Sequence, residues 1–133
     1  MRSQGFTLVE ILIVVIILGI LAAIVVPQFS EASADAKESA LASDLQTVRS
    51  QLELYKLQHK GVYATDVTLL TKKTDADGVE GGSYGPYLLK FPTNPFAGNA
   101  DIEIATKGAG TKGWFYDSAT GEFCPNDADH LSW

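Results

Sequence analysis

From Ile11 to Val26 the chain reads Ile-Leu-Ile-Val-Val-Ile-Ile-Leu-Gly-Ile-Leu-Ala-Ala-Ile-Val-Val without a charge, and Phe6, Leu8 and Val9 extend that run past Glu10. Segment 6–26 spans roughly 21 residues, the length an α-helix needs to cross the hydrocarbon core of a bilayer. It is therefore expected to enter a membrane as a single pass. One carboxylate, Glu10, sits near its end. A charge there carries an insertion penalty of up to about 2.5–3.5 kcal/mol at the bilayer centre and less toward the interface. Glu10 therefore needs a cationic partner.

Beyond Val26 the pattern changes. Pro27 removes a backbone donor and crowds the carbonyl four residues earlier, which predicts a kink, and Gly19 upstream lowers helix propensity. Ser30–Ala40 is rich in helix formers and small residues and reads as a polar neck. Apolar residues then recur at Leu41, Leu45, Val48, Leu52 and Tyr55, alternating spacings of four and three that place them on one helical face. Segment 27–60 is thus expected to be an amphipathic helix whose apolar face covers a core. It is expected to end near His59-Lys60-Gly61, with His59 as an exposed cap and Gly61 in the left-handed conformation. A helix from Phe6 to that point is about 80 Å long at 1.5 Å per residue, which suits a filament spine better than an enzyme scaffold.

Residues 61–133 leave a small head with a marginal core of its own. Lys72–Ser83 is built for turns and mobility. Within it Asp75-Ala-Asp77-Gly78 matches only the opening of a calcium loop, without the third ligand position and the distal glutamate. Tyr84–Gly98 mixes prolines with aromatic anchors and is expected to form an ordered loop over the helix. Asp101–Ala105, Trp114–Asp117 and Glu122–Cys124, separated by turn signals, predict three short antiparallel strands. Trp114 and Tyr116 are expected on one face, facing Leu52 or Tyr55. The fold class is α+β: a long N-terminal α-helix, half transmembrane and half amphipathic, packed on a small C-terminal antiparallel sheet.

Charge narrows the function. The net charge of −6 argues against nucleic-acid binding, which needs clustered Lys and Arg. Cys124 is the only cysteine, so no intrachain disulfide forms, and it is expected as a half-buried thiol beside a strand. No phosphate-binding glycine motif, zinc spacing or serine elbow occurs, so neither an enzyme nor a cofactor is expected, and no metal site is assigned. Arg2 precedes the apolar run, which favours a cytoplasmic N-terminus and an outward-facing head.

The string Gly5-Phe6-Thr7-Leu8-Val9-Glu10, followed by the aliphatic stretch, resembles the type III signal of type IV pilins and type II secretion pseudopilins. The resemblance implies a leader, 1–5, removed between Gly5 and Phe6 by a prepilin peptidase, and N-methylation of the new terminal Phe6. It implies that Glu10 registers incoming subunits, its partner being the Phe6 α-amine, positively charged at neutral pH. It also implies that Gly19–Pro27 is helical in the free subunit and melts in the filament. Tyr87-Leu-Leu-Lys-Phe-Pro-Thr-Asn-Pro-Phe96 resembles the segment leading into the sheet of major pseudopilins. In that branch a structural calcium often orders the C-terminal loop, for which Asp117, Asp127 and Asp129 are the candidates here.

The implied function is a structural subunit of a helical pilus-like filament, foremost the major pseudopilin of a type II secretion system. The implied partners are identical subunits, minor pseudopilins, the inner-membrane assembly platform and, before assembly, membrane lipid. The subunit would sit in the inner membrane with its C-terminal domain in the periplasm, and the filament would be periplasmic or extracellular. Two alternatives stand beside it: a type IV pilin forming a surface fibre, and a membrane-tethered periplasmic binding module. A signal anchor, or a signal peptide cut after Leu21-Ala-Ala23, would account for the apolar run without polymerisation.

Overall fold

The computed structural model describes residues 5–108 and 110–133. A single α-helix, α1, runs Leu8–Gln58, and a short 3-10 helix spans Val67–Thr71. Strands β1 (Ile102–Glu103), β2 (Trp114–Asp117) and β3 (Glu122–Pro125) follow. The chain divides into two units, Met1–Ala36 and Lys37–Trp133.

In the first unit the helix continues through Gly19 and Pro27 without a break in its assignment. Its aliphatic side chains are exposed from Leu8 to Val26. No core face is selected, as expected where apolar residues ring the whole helix.

In the second unit the five positions picked out by periodicity, Leu41, Leu45, Val48, Leu52 and Tyr55, are the buried residues of α1. They join Ala64, Val67, Leu70, Trp114, Tyr116 and Phe123 in one core. Each large apolar side chain buried there contributes about 1.5–3 kcal/mol. Tyr87, Leu88 and Phe91 pack on the same core, so the proline-rich loop is ordered over the helix as expected. It is tied down by the Tyr87 and Leu88 N–H groups donating to Leu70 O at 2.8 and 2.9 Å, and by Trp114 Nε1 donating to Pro92 O at 2.8 Å.

The sheet is mixed, not wholly antiparallel. β2 and β3 form the expected hairpin, with Trp114 opposite Pro125 and Asp117 opposite Glu122, but β1 runs parallel to β2. Asparagine side chains tie the glycine-rich connection into a wide loop, by which the chain returns to the start of β1 and runs beside it in the same direction. Gly108 N–H donates to Asn126 Oδ1 at 2.6 Å and Gly113 N–H to Asn99 Oδ1 at 2.7 Å. Asn94 Nδ2 donates to Gly113 O at 2.7 Å. In the β2–β3 turn Gly121 has φ +76°, and a Cβ there would lie 2.3 Å from the Tyr63 ring. Only glycine fits that turn.

Three further expectations change. His59 is not an exposed cap but is buried at 3% exposure. Its ring stacks on Tyr55 with centroids 3.7 Å apart, while Nδ1 lies 2.7 Å from Tyr55 O and Nε2 2.9 Å from Thr74 Oγ1. A carbonyl only accepts, so Nδ1 carries the proton. The end of α1 is closed by Gly61 in the expected left-handed conformation, at φ +81°, and its N–H reaches Lys56 O at 2.9 Å. The 72–83 segment is a bonded turn anchored by fully buried Thr74, which bridges Glu80 and Tyr84. Cys124 lies within β3 and is fully buried, and burial pushes its thiol pKa up, away from nucleophilic use.

Candidate assembly segment

The segment that the sequence marks for processing and assembly begins at Gly5 and Phe6. Both are exposed, Phe6 at 79%. The first four residues of the expected leader lie outside the described residues. A peptide bond carried on an exposed, non-helical start is open to a protease, since the backbone there is not committed to a helix ladder.

Helix α1 starts at Leu8, so Thr7 is its N-cap and Glu10 the third helical residue. The Glu10 N–H donates to Thr7 Oγ1 at 3.2 Å. In return Glu10 Oε2 accepts the Thr7 N–H at 2.8 Å and the Thr7 hydroxyl at 2.7 Å. This reciprocal pattern is a capping box, which satisfies two backbone donors that a helix start otherwise leaves without partners. The negative charge also sits at the positive end of the helix dipole. Glu10 is thus held one turn from the start, with Oε1 unused among the described residues.

The structure brings Glu10 together with Thr7 and not with the Phe6 backbone. Thr7 is the structural neighbour missed by reading the carboxylate as a lone charge. Its signal was present, because a threonine three residues before a glutamate at the edge of an apolar run is itself a helix-start signature. Gly19 has no atom within 4 Å of where its Cβ would stand, so no close approach within this chain accounts for a glycine there.

Helix α1 is long and apolar enough to cross a membrane, and none of its most apolar window is buried within the chain. Exposed aliphatic surface of this extent needs lipid or other helices to cover it. Among the described residues of the head, no three His, Cys, Asp or Glu side chains gather into a metal-binding group.

Comparison with known proteins agrees with this picture. Residues 1–26 match the family model described as the prokaryotic N-terminal methylation motif. The chain is 36% identical over 141 residues to type II secretion system core protein G of Pseudomonas aeruginosa, covering 99% of this chain and 96% of that protein. It is 35% identical over 99 residues to the protein of the same name from Vibrio cholerae, covering 72% and 68% of the two chains. A type IV narrow pilus major component, PilA5 of Thermus thermophilus, is 39% identical over 66 residues, half of this chain and 57% of that one. No solved structure matches.

Proposed function

Because the chain belongs to the type II secretion system core protein G family, we propose that it is the major structural subunit of a type II secretion pseudopilus. The observation that carries this reading is the likeness to the Pseudomonas aeruginosa protein across head and helix alike, 99% of this chain. The likeness to the narrow pilus component covers only half the chain, and supports a surface fibre less well.

In this reading a prepilin peptidase cuts between Gly5 and Phe6, and the new Phe6 amine is methylated. The subunit waits in the inner membrane through segment 6–26, its head in the periplasm, until the assembly platform moves it into a filament of identical copies begun by minor pseudopilins. Moving aliphatic surface from lipid to neighbouring helices changes its environment little, so apolar packing supplies area without much discrimination. Discrimination falls to Glu10. Its Oε1 is placed to take the Phe6 ammonium of an adjacent copy, and a charge-assisted hydrogen bond in an apolar bundle is strong and directional. Gly19 and Pro27 mark where the helix gives way most easily when neighbours replace lipid.

The deciding measurement is the N-terminal mass of the protein recovered from its native envelope or from sheared material. A chain starting at Phe6, one methyl heavier than the bare amine, is the expected result. An intact Met1, or a start after Ala23, overturns the reading in favour of a tethered or secreted module. Recovery of the Phe6 form in the sheared fraction assigns it to a surface fibre instead.

A further inference from the structure

The resemblance to major pseudopilins implies calcium at the C-terminal loop, and the side chains there do not fit it. Calcium takes six to eight oxygens at 2.3–2.6 Å. Both oxygens of Asp117 serve its own turn, Oδ1 accepting the Ala119 N–H at 2.9 Å and Oδ2 the Thr120 hydroxyl at 2.8 Å. Asp127 is also engaged, with Oδ1 2.5 Å from His130 Nδ1 and Oδ2 3.5 Å from Asn94 Nδ2, which leaves exposed Asp129 as the candidate carboxylate not so engaged, and among the described residues no three such side chains gather into a cation-binding group. Among the described residues the buried side-chain atom without a partner is Asn126 Nδ2. It is a donor, held in that orientation by Oδ1 accepting the Gly108 N–H, and a cation cannot use it.

We propose that Asp127 and His130 form a clasp of side chains that closes the C-terminal turn and does the work the family resemblance assigns to calcium. A carboxylate only accepts, so His130 Nδ1 donates the bond to Asp127. His130 is buried, at 8% exposure. It lies against Phe96, with centroids 4.3 Å apart, and meets Trp133 edge-on at 5.2 Å. The clasp is thereby fixed to the proline-rich loop on one side and to the end of the turn on the other. Arg49 completes the closure from α1, donating through Nε to Phe123 O at 2.9 Å and through Nη2 to Trp133 O at 2.5 Å. The turn is therefore tied to helix, loop and sheet by groups the chain itself supplies. The clasp stands whether the filament is a pseudopilus or a surface fibre.

The test uses the full-length protein in detergent micelles, with thermal unfolding followed in calcium chloride and in excess EGTA. The expected result is the same midpoint in both, with no saturable heat when calcium is titrated in. His130→Ala is expected to lower the midpoint by several degrees, and calcium is not expected to restore it; His130→Gln, which keeps a donor, should lose less. A wild-type midpoint that drops in EGTA and recovers with calcium overturns the proposal, as does His130→Ala that melts like the wild type. Should His130→Ala fail to fold, the wild-type calcium comparison and the His130→Gln midpoint still decide.

Discussion

Glu10 and Thr7 hold each other at the start of α1: the carboxylate accepts the Thr7 N–H at 2.8 Å, and the Thr7 hydroxyl accepts the Glu10 N–H at 3.2 Å. The cap survives a cut between Gly5 and Phe6, because every atom in it lies beyond the cut. In a subunit so processed Glu10 would already be oriented, which would lower the entropy to be lost in the proposed contact with a second copy.

Replacing Glu10 with alanine is expected to leave processing and membrane insertion intact, since neither the Gly5-Phe6 bond nor the aliphatic run changes. Polymer recovered by sedimentation should fall at least about tenfold, the consequence of losing one charge-assisted contact of 1.5–3 kcal/mol per subunit. Normal filaments built of Glu10→Ala subunits, with Phe6 at their N-terminus, would contradict the registration role.

Thr7→Ala separates cap from charge. It removes the side chain that holds the first turn, a loss of about 1 kcal/mol for a typical N-cap, and leaves the Glu10 charge in place. Faster amide exchange at Leu8, Val9 and Glu10 is expected in detergent micelles. Polymer yield should fall between wild type and Glu10→Ala, and Thr7→Ser, which keeps the hydroxyl, should behave as wild type.

Positions read from periodicity survived contact with the structure. Leu41, Leu45, Val48, Leu52 and Tyr55 needed only a 3.6-residue repeat to be placed, and Trp114 and Tyr116 only the two-residue repeat of a strand. Features made by long-range polar bonds did not. Beside the parallel β1, Asn94, Asn99 and Asn126 reach across the fold to Gly113 and Gly108, and local turn signals cannot report partners so distant in sequence. His59 was misplaced for the same reason: a histidine at a helix end has the local signature of a cap, while Thr74, 15 residues on, is what draws it inward. At the start of α1 the Glu10 carboxylate stands out by its charge in an apolar run, and that charge outweighs the equally readable spacing of its box with Thr7.

Because His59 is a buried group with two bonds and a stacked ring, truncating it should cost more than a surface change. His59→Ala leaves Thr74 Oγ1 and Tyr55 facing a void, a loss expected at about 2–4 kcal/mol from the cavity and the unmade bonds together. In a domain of this size that shifts the midpoint by roughly 8 °C or more. An exposed cap would lose far less, so a shift under a few degrees would contradict the buried placement.

Tyr116 donates its hydroxyl to Ala64 O at 2.7 Å from a position 1% exposed, and burial pushes its phenol pKa far up. It therefore stays neutral and a donor at any pH the protein meets. Tyr116→Phe keeps the ring packing and deletes one bond, so about 1 kcal/mol is expected to be lost, with the head otherwise unchanged by circular dichroism.

Asp75 gives the head an acid-sensitive turn. Its Oδ1 accepts the N–H groups of Val79 and Asp77, each at 2.9 Å, and these bonds, Val79 foremost, hold the carboxyl pKa below its ordinary value. A depressed folded pKa means that the carboxylate favours the folded turn above the unfolded pKa of about 3.9, and that this support is lost as pH falls through the lower folded value. Since the carboxylate is solvated, the effect is confined to the turn. The protection factors of the Asp77 and Val79 amides, exchange rates relative to the unfolded chain at the same pH, are expected to fall below about pH 4 while the Leu52 and Trp114 amides keep theirs. In Asp75→Asn the neutral amide oxygen keeps weaker bonds to the same N–H groups, so exchange should be faster at neutral pH and should lose its acid step. An acid step that persists in Asp75→Asn would assign the sensitivity to another group.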